Sequence, residues 1–161
     1  MAKSVFFSFH YDRDHWRVQQ IIQMGALEGE TTLNAQQWEE VKRQGDAAIK
    51  KWITDQMAYK SAVVVLVGAK TASRPWVKHE IISAWNNRKP LVGIRIHGLA
   101  GPGGETDTAG ASPFAGVKLP TGKTVGDYVP LHTPSSSGSQ GVYDDIKKNL
   151  TTWVDGAYKR T

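Results

Sequence analysis

The chain has 161 residues, no cysteine, and 20 basic against 15 acidic side chains, for a formal net charge of +5. That length fits one domain with a proper core, and 40% hydrophobic with 22% charged residues is a globular composition. The missing cysteines exclude disulfides, thiolate nucleophiles and cysteine-ligated zinc. No apolar run approaches the roughly 20 residues that span a bilayer, and no Lys/Arg run is interleaved with aromatics as nucleic-acid binding would need. A cytoplasmic protein with no membrane or nucleic-acid partner is therefore expected. Its basic excess is either plain solubility charge or a long-range attraction for phosphate-bearing ligands.

In chain order, Met1-Ala2-Lys3-Ser4-Val5 runs straight into Phe6-Phe7-Ser8-Phe9, which leaves no room for a signal peptide and reads as a central strand. Asp14 is placed to cap a helix carrying Trp16, Val18, Ile21 and Ile22. Gly25 to Gly45 is less regular and reads as loop plus a short helix. Ala48 to Tyr59 has Ile49, Trp52, Ile53 and Met57 at helical spacing. Ala62-Val63-Val64-Val65-Leu66-Val67 reads as a strand buried on both faces. Pro75 then opens a helix from Trp76 to Arg88, and Leu91 to Ile96 is a third strand. Gly98 to Gln140 is rich in Gly, Pro, Ser and Thr and reads as either a mobile lid or a flexible insertion. Within it Val125 to Leu131 offers a short edge strand, Pro130 barring a central position, and Thr133 to Ser139 reads as a flexible linker. Tyr143 to Tyr158 is a closing helix.

Alternating strands and helices predict a mostly parallel sheet with helices on both faces, in one domain over residues 1–161 with an irregular insertion at about 98–140. In such sheets ligands bind outside the carboxyl ends of the strands. Glu80 falls there, one turn into the helix after the Val63 strand. It is either a candidate for chemistry or a surface carboxylate that complements the helix dipole.

Several familiar signatures come close and miss. His79-Glu80-Ile81-Ile82-Ser83 has serine where a zinc-protease helix needs its second histidine. Gly122-Lys123-Thr124 lacks the earlier P-loop glycine, because position 117 is Val117. Gly101-Pro102-Gly103-Gly104 opens no helix, so it is no dinucleotide fingerprint. The central strand ends in Gly68-Ala69-Lys70 rather than the aspartate of a phosphate receiver. No Gly-x-Ser-x-Gly elbow supports a serine nucleophile.

What remains resembles a Toll/interleukin-1 receptor (TIR) domain. Val5-Phe6-Phe7-Ser8-Phe9-His10-Tyr11-Asp12-Arg13-Asp14 is similar to that family's opening box. Trp76-Val77-Lys78-His79-Glu80-Ile81 is similar to its Trp-Cys-x-x-Glu-Leu helix start, and Lys89-Pro90-Leu91-Val92-Gly93-Ile94 to the following strand. Phe7 to Tyr11 with Asp14, Trp16 and Arg17, and Arg74-x-Trp76-Val77-x-x-Glu80-Ile81, resemble more narrowly the TIR-like ThsB proteins of bacterial Thoeris anti-phage defence. The resemblance covers roughly residues 4 to 98. The Arg-Asp-x-x-Pro-Gly loop of receptor-type members is absent, and the Gly25 to Gly45 region with Trp38 stands in its place.

The resemblance implies a flavodoxin-like three-layer fold. It also implies an NAD⁺ glycohydrolase or cyclase that breaks the nicotinamide–ribose bond and gives a linear or cyclic ADP-ribose signal in antiviral defence. Glu80 is the implied catalytic residue, with Ser8, Phe9, His10, Tyr11 and Trp38 at the substrate. NAD⁺ is then substrate, with no metal and no further cofactor. Self-association and a separate effector protein that receives the signal are the implied partners. The rival is a catalytically silent TIR-like interaction module. Phe9 and Tyr11 stand open between core and pocket, and Arg17 between a phosphate contact, solvent and a structural ion pair. Trp52, Trp85 and Trp153 are assigned to packing, Trp76 to packing under the loop, and His15, His79, His97 and His132 are given no role.

Overall fold

The structure is a computed structural model that describes residues 3–31, 40, 41, 43–134 and 138–160. The chain builds β1 (Lys3–Ser8), α1 (Tyr11–Gln23), β2 (Leu27–Thr31), α2 (Asp46–Met57), β3 (Ala62–Val67), α3 (Pro75–Asn86), β4 (Leu91–Arg95), β5 (Leu131–His132) and α4 (Ser139–Asp155). The five strands form one sheet in the order β2-β1-β3-β4-β5. All neighbouring strands pair in parallel. This is the flavodoxin-like order, and its direction of winding reverses between β1 and β3.

Successive strand residues point to opposite faces, which divides the core in two. Val5, Phe7, Val64, Leu66, Val92 and Ile94 pack against Val18 and Ile21 of α1 and Ile146 and Leu150 of α4. Phe6, Val63, Val65 and Val67 pack against Ile53 and Met57 of α2 and Val77, Ile81 and Ala84 of α3. Every residue of β3 is buried, as its unbroken apolar run predicts for a strand covered on both faces. Trp52 meets Phe6 edge-on at 6.3 Å, Trp85 stacks on Tyr158 at 5.8 Å and Trp153 on His132 at 4.8 Å. All three pack, as expected.

Three expectations are corrected. Gly25 to Gly45 contains β2, which pairs Lys3↔Leu27 through Phe7↔Thr31. Leu27-Glu28-Gly29-Glu30-Thr31 has one strongly apolar residue, and an edge strand is held by backbone pairing on one side, so hydropathy gives no strand signal there. Val125 to Leu131 is no strand: Val125–Asp127 is a 3-10 turn capped reciprocally by Thr124 and Asp127. The edge strand is confined to Leu131–His132. Pro130, having no N–H, contributes its carbonyl to the Gly93 N–H at 2.9 Å.

The third correction concerns the insertion, which packs as part of the core. Leu99, Phe114 and Val125 have no exposed surface, and Val117 and Val129 are buried. Gly93 makes room for this packing, because a methyl group there would lie 2.5 Å from the Phe114 ring. Gly110 lies against the turn after β3, where a methyl group would meet the Gly68 carbonyl oxygen and approach the Ala69 oxygen to 2.6 Å. Backbone gives way less readily than a side chain, so Gly110→Ala is expected to cost about 1–3 kcal/mol. Urea unfolding checks this, and an unchanged midpoint would contradict the close packing. Ser139 Oγ accepts a hydrogen bond from the Ala100 N–H at 2.8 Å, which ties down the far end of the expected linker; its positions 135–137 lie outside the described residues.

Candidate active site at the carboxyl ends of β1 and β3

In sheets of this order ligands bind outside the carboxyl ends of the strands where the winding reverses, here β1 and β3. Ser8 closes β1 and is fully buried. Its Oγ donates to Glu80 Oε1 at 2.7 Å, a contact that joins positions 72 residues apart. Pro75 starts α3 at a position where its missing N–H costs nothing. Val77, Glu80, Ile81 and Ala84 then share the buried face by their spacing of three and four residues. Glu80 is therefore on the core side of α3 and only 1% exposed, which overturns the reading of a solvated carboxylate beside the helix dipole.

A second buried carboxylate, Asp14, was not read from the sequence. Asp14 does not cap α1: His10 does, its Nδ1 accepting from the Arg13 N–H at 3.3 Å. Asp14 is one turn inside, fully buried, and receives Arg17 Nη1 at 3.3 Å. A methyl group on Gly68 would run into the Asp14 carboxylate, so the glycine that ends the central strand is the seat of this side chain. Thr71 holds the turn, its Oγ1 accepting from the Gly68 N–H at 2.7 Å. Burial pushes the Asp14 carboxyl above its ordinary value of 3.8, and the attraction of Arg17 only partly opposes this.

The sign of the resulting pH dependence follows from that direction. A carboxyl whose pKa is raised by folding adds stability that is full below the unfolded value and is lost as pH rises through the folded one. Asp14→Asn removes this dependence, so the variant should gain on the parent as pH climbs from about 3.5 towards neutrality. Urea midpoints of both proteins across that range check it; a constant difference would contradict it.

Helix α1 also clamps the start of the insertion through one face, residues 13, 17 and 20. Arg13 grips Asp107 with two bonds of 2.8 and 3.0 Å. Arg17, 4% exposed, donates to the Leu99 carbonyl at 2.8 Å and to that of Glu105 at 3.2 Å. Gln20 donates to the Ala100 carbonyl at 2.7 Å. Of the roles open to Arg17, phosphate contact, solvent and ion pair, the structure shows the structural ion pair.

The carboxyl end of β1 brings together Ser8 and Glu80, with His10 at the start of α1. Phe9 is 2% exposed and belongs to the core cluster with Val18, Ile96 and Leu99; it packs rather than lining an opening, because strand alternation turns it to the α1/α4 face. Trp38 and the side chain of Tyr11 lie outside the described residues. Asp14, Gly68 and Gly110 were not legible as one site, since no local pattern reports contacts across so many residues.

Among the described residues, hollows lie elsewhere. One of about 790 Å³ at the amino ends of the strands is lined by Lys60, Arg88, Lys89, Lys159 and Arg160. These cations stand where α2, α3 and α4 end, and complement the negative poles of those helices. A second, of about 290 Å³, lies between α2 and α3, and a third, of about 250 Å³, adjoins the carboxyl end of β4.

Residues 6–101 match the family model described as Thoeris protein ThsB, TIR-like domain. The chain belongs to this family. The match ends where the insertion begins, so the ThsB TIR-like core comprises β1 to β4 with their helices, and the segment after it is packed onto that core. A similar protein, named "Putative cyclic ADP-D-ribose synthase ThsB1", comes from Bacillus cereus (strain MSX-D12). It is 33% identical over 124 residues, which cover 71% of this chain and 62% of that protein. The ThsB-like chain thus spans about three-fifths of that relative's length. Among the described residues no helix is long and apolar enough to cross a membrane.

Proposed function

We propose that this chain cleaves the nicotinamide–ribose bond of NAD⁺ and releases ADP-ribose in cyclic or linear form as a signal for a separate effector in anti-phage defence. The observation that carries the reading is the buried Ser8–Glu80 hydrogen bond at the topological switch point. The name of the Bacillus cereus relative, a cyclic ADP-ribose synthase, supports it.

In this reaction the C–N bond breaks with its electron pair going to nicotinamide, which leaves as a neutral base and needs no general acid. The ribosyl carbon passes through an oxocarbenium-like state. The Glu80 carboxylate, aimed by Ser8, stabilises that developing positive charge or holds the ribose hydroxyls. Water then attacks to give ADP-ribose, or an internal nucleophile of the same molecule attacks to give a ring; either loses one proton. Cyclisation demands a site that excludes water and holds the internal nucleophile near the anomeric carbon. No metal or further cofactor enters these steps. Because Glu80 is 1% exposed, substrate reaches it only when a covering group moves aside.

That same burial favours a second reading, in which Ser8 and Glu80 only pin α3 to β1 in a silent module that acts by self-association. Incubation with NAD⁺, with free nicotinamide and the remaining fragment identified by mass spectrometry, separates the two. Nicotinamide with cyclic or linear ADP-ribose is expected; intact NAD⁺ under conditions that activate a parallel ThsB enzyme would leave the silent module standing. Ser8→Ala removes the hydrogen bond that Ser8 Oγ donates to Glu80 Oε1, so nicotinamide release should fall about tenfold or more. Unchanged turnover in that variant would show that Ser8 does not position the carboxylate.

A further inference from the structure

Among the described residues, four buried side-chain atoms have no hydrogen-bond partner: Asp14 Oδ2, Arg95 Nε, His97 Nδ1 and Arg160 Nε. Two of the four belong to one place. Arg95 and His97 both line the hollow of about 250 Å³ at the carboxyl end of β4, with Gly98, Asp107, Gly138 and Val142. Arg95 is the last residue of β4, and its guanidinium is held from both sides. Nη1 donates to Thr133 Oγ1 at 3.2 Å and Nη2 to the Gly110 carbonyl at 3.4 Å. The Nε donor is buried and left without an acceptor.

The charges around the hollow are uneven. Asp107 contributes a carboxylate, but Arg13 engages both of its oxygens and the Thr108 N–H donates to one of them at 2.9 Å. Arg95 therefore supplies a positive charge that no carboxylate of the lining balances. Gly138 caps the 17-residue α4 with no side-chain hydrogen bond, so the positive pole of that helix faces the same region. Burial and the neighbouring Arg95 hold His97 below its ordinary pKa, which leaves a neutral imidazole there near pH 7.

A donor without an acceptor, a fixed guanidinium and a helix start are jointly matched by the oxygens of an anion. The volume lies below the roughly 300–1,000 Å³ of sites that enclose a whole small molecule, so one group of a larger ligand fits. We propose that this hollow is a phosphate-binding subsite and that its occupant is the diphosphate of the dinucleotide substrate. It lies two strand spacings from β1, on the order of 10 Å, at the same carboxyl end of the sheet as Glu80, with Val142 reaching it from α4 on the opposite face. The identity of the occupant rests on the proposed NAD⁺ reading; the phosphate chemistry does not.

Inorganic phosphate titrated into the ¹⁵N-labelled full chain, with the His97 ring and Arg95 Nε–H resonances followed by NMR, tests the chemistry without turnover. Saturable shifts of both are expected, and Arg95→Lys, which keeps the charge but loses Nε and the planar fork, should weaken binding at least tenfold. No shift up to tens of millimolar phosphate, the result for a hollow filled only by water, overturns the subsite. NAD⁺ should displace phosphate, and Arg95→Lys should raise KM for NAD⁺ more than it lowers kcat. Phosphate binding that NAD⁺ leaves untouched marks a site for free phosphate and overturns the substrate assignment. Intact phosphate shifts without nicotinamide release would remove the enzymatic reading alone, and nicotinamide release without shifts would remove the subsite alone.

Discussion

Glu80→Gln is expected to lower nicotinamide release from NAD⁺ by about 10²–10³-fold while leaving the fold intact, the loss typical of one preorganised electrostatic contact. Glutamine keeps an oxygen that accepts the Ser8 hydroxyl, whose bond to Glu80 Oε1 is 2.7 Å, and it preserves the volume of a side chain that is 1% exposed. It removes the charge and turns the other acceptor oxygen into an amide donor. Initial rates with excess NAD⁺, beside circular dichroism and a melting curve on the same sample, separate lost chemistry from lost structure. A glutamine variant as active as the parent would take the carboxylate out of the reaction. The loss should appear in kcat, since the positive charge it answers exists only in the transition state.

The largest expected effect on stability is at Arg17. Its guanidinium is 4% exposed and serves Asp14, the Leu99 carbonyl and the Glu105 carbonyl at 3.3, 2.8 and 3.2 Å. Arg17→Met leaves two carbonyls and a buried carboxylate unmatched. Breaking a buried pair in this way costs about 3–5 kcal/mol, or a fall in Tm on the order of 10 °C for a chain of this size. The double variant Arg17→Met with Asp14→Leu should recover part of the loss, because an apolar pair needs no partners. Urea and thermal unfolding of both variants check this. A loss below about 1 kcal/mol would mean that Arg17 behaves as an exposed pair.

The parts of the fold legible in the sequence were those whose signal is local. The apolar run of β3 announces a strand covered on both faces, and Ile49, Trp52, Ile53 and Met57 announce one face of α2. Even Pro130 sets where the edge strand can begin, although that strand is shorter and later than its apolar residues predict. What was not legible depends on distant contacts. β2 is a strand because Lys3 to Phe7 offer it a backbone edge, and nothing in its own composition says so. The insertion is poor in periodic pattern, yet Leu99, Phe114 and Val125 are fully buried, each arriving from an irregular stretch.

The site divides in the same way. Glu80 and Ser8 stand in recognisable surroundings, and the fold brings them to 2.7 Å. Asp14 carried the signature of a helix cap and turned out to be a buried partner of Arg17 opposite Gly68. An Asp and an Arg three residues apart give a helix pair, but whether that pair faces solvent or core is decided by the segment from Leu99 to Glu105 that lies over it. Gly68 gives no sequence signal at all, since its importance lies in the space it leaves.

The account is tested most directly by a crystal structure of the Glu80→Gln protein with NAD⁺ bound. The nicotinamide ribose should lie at the carboxyl ends of β1 and β3, with the residue-80 side chain about 2.6–3.2 Å from a ribose hydroxyl or about 3–3.5 Å from the anomeric carbon. A dinucleotide seated elsewhere, as in the basic hollow between Lys60 and Arg160, would contradict it.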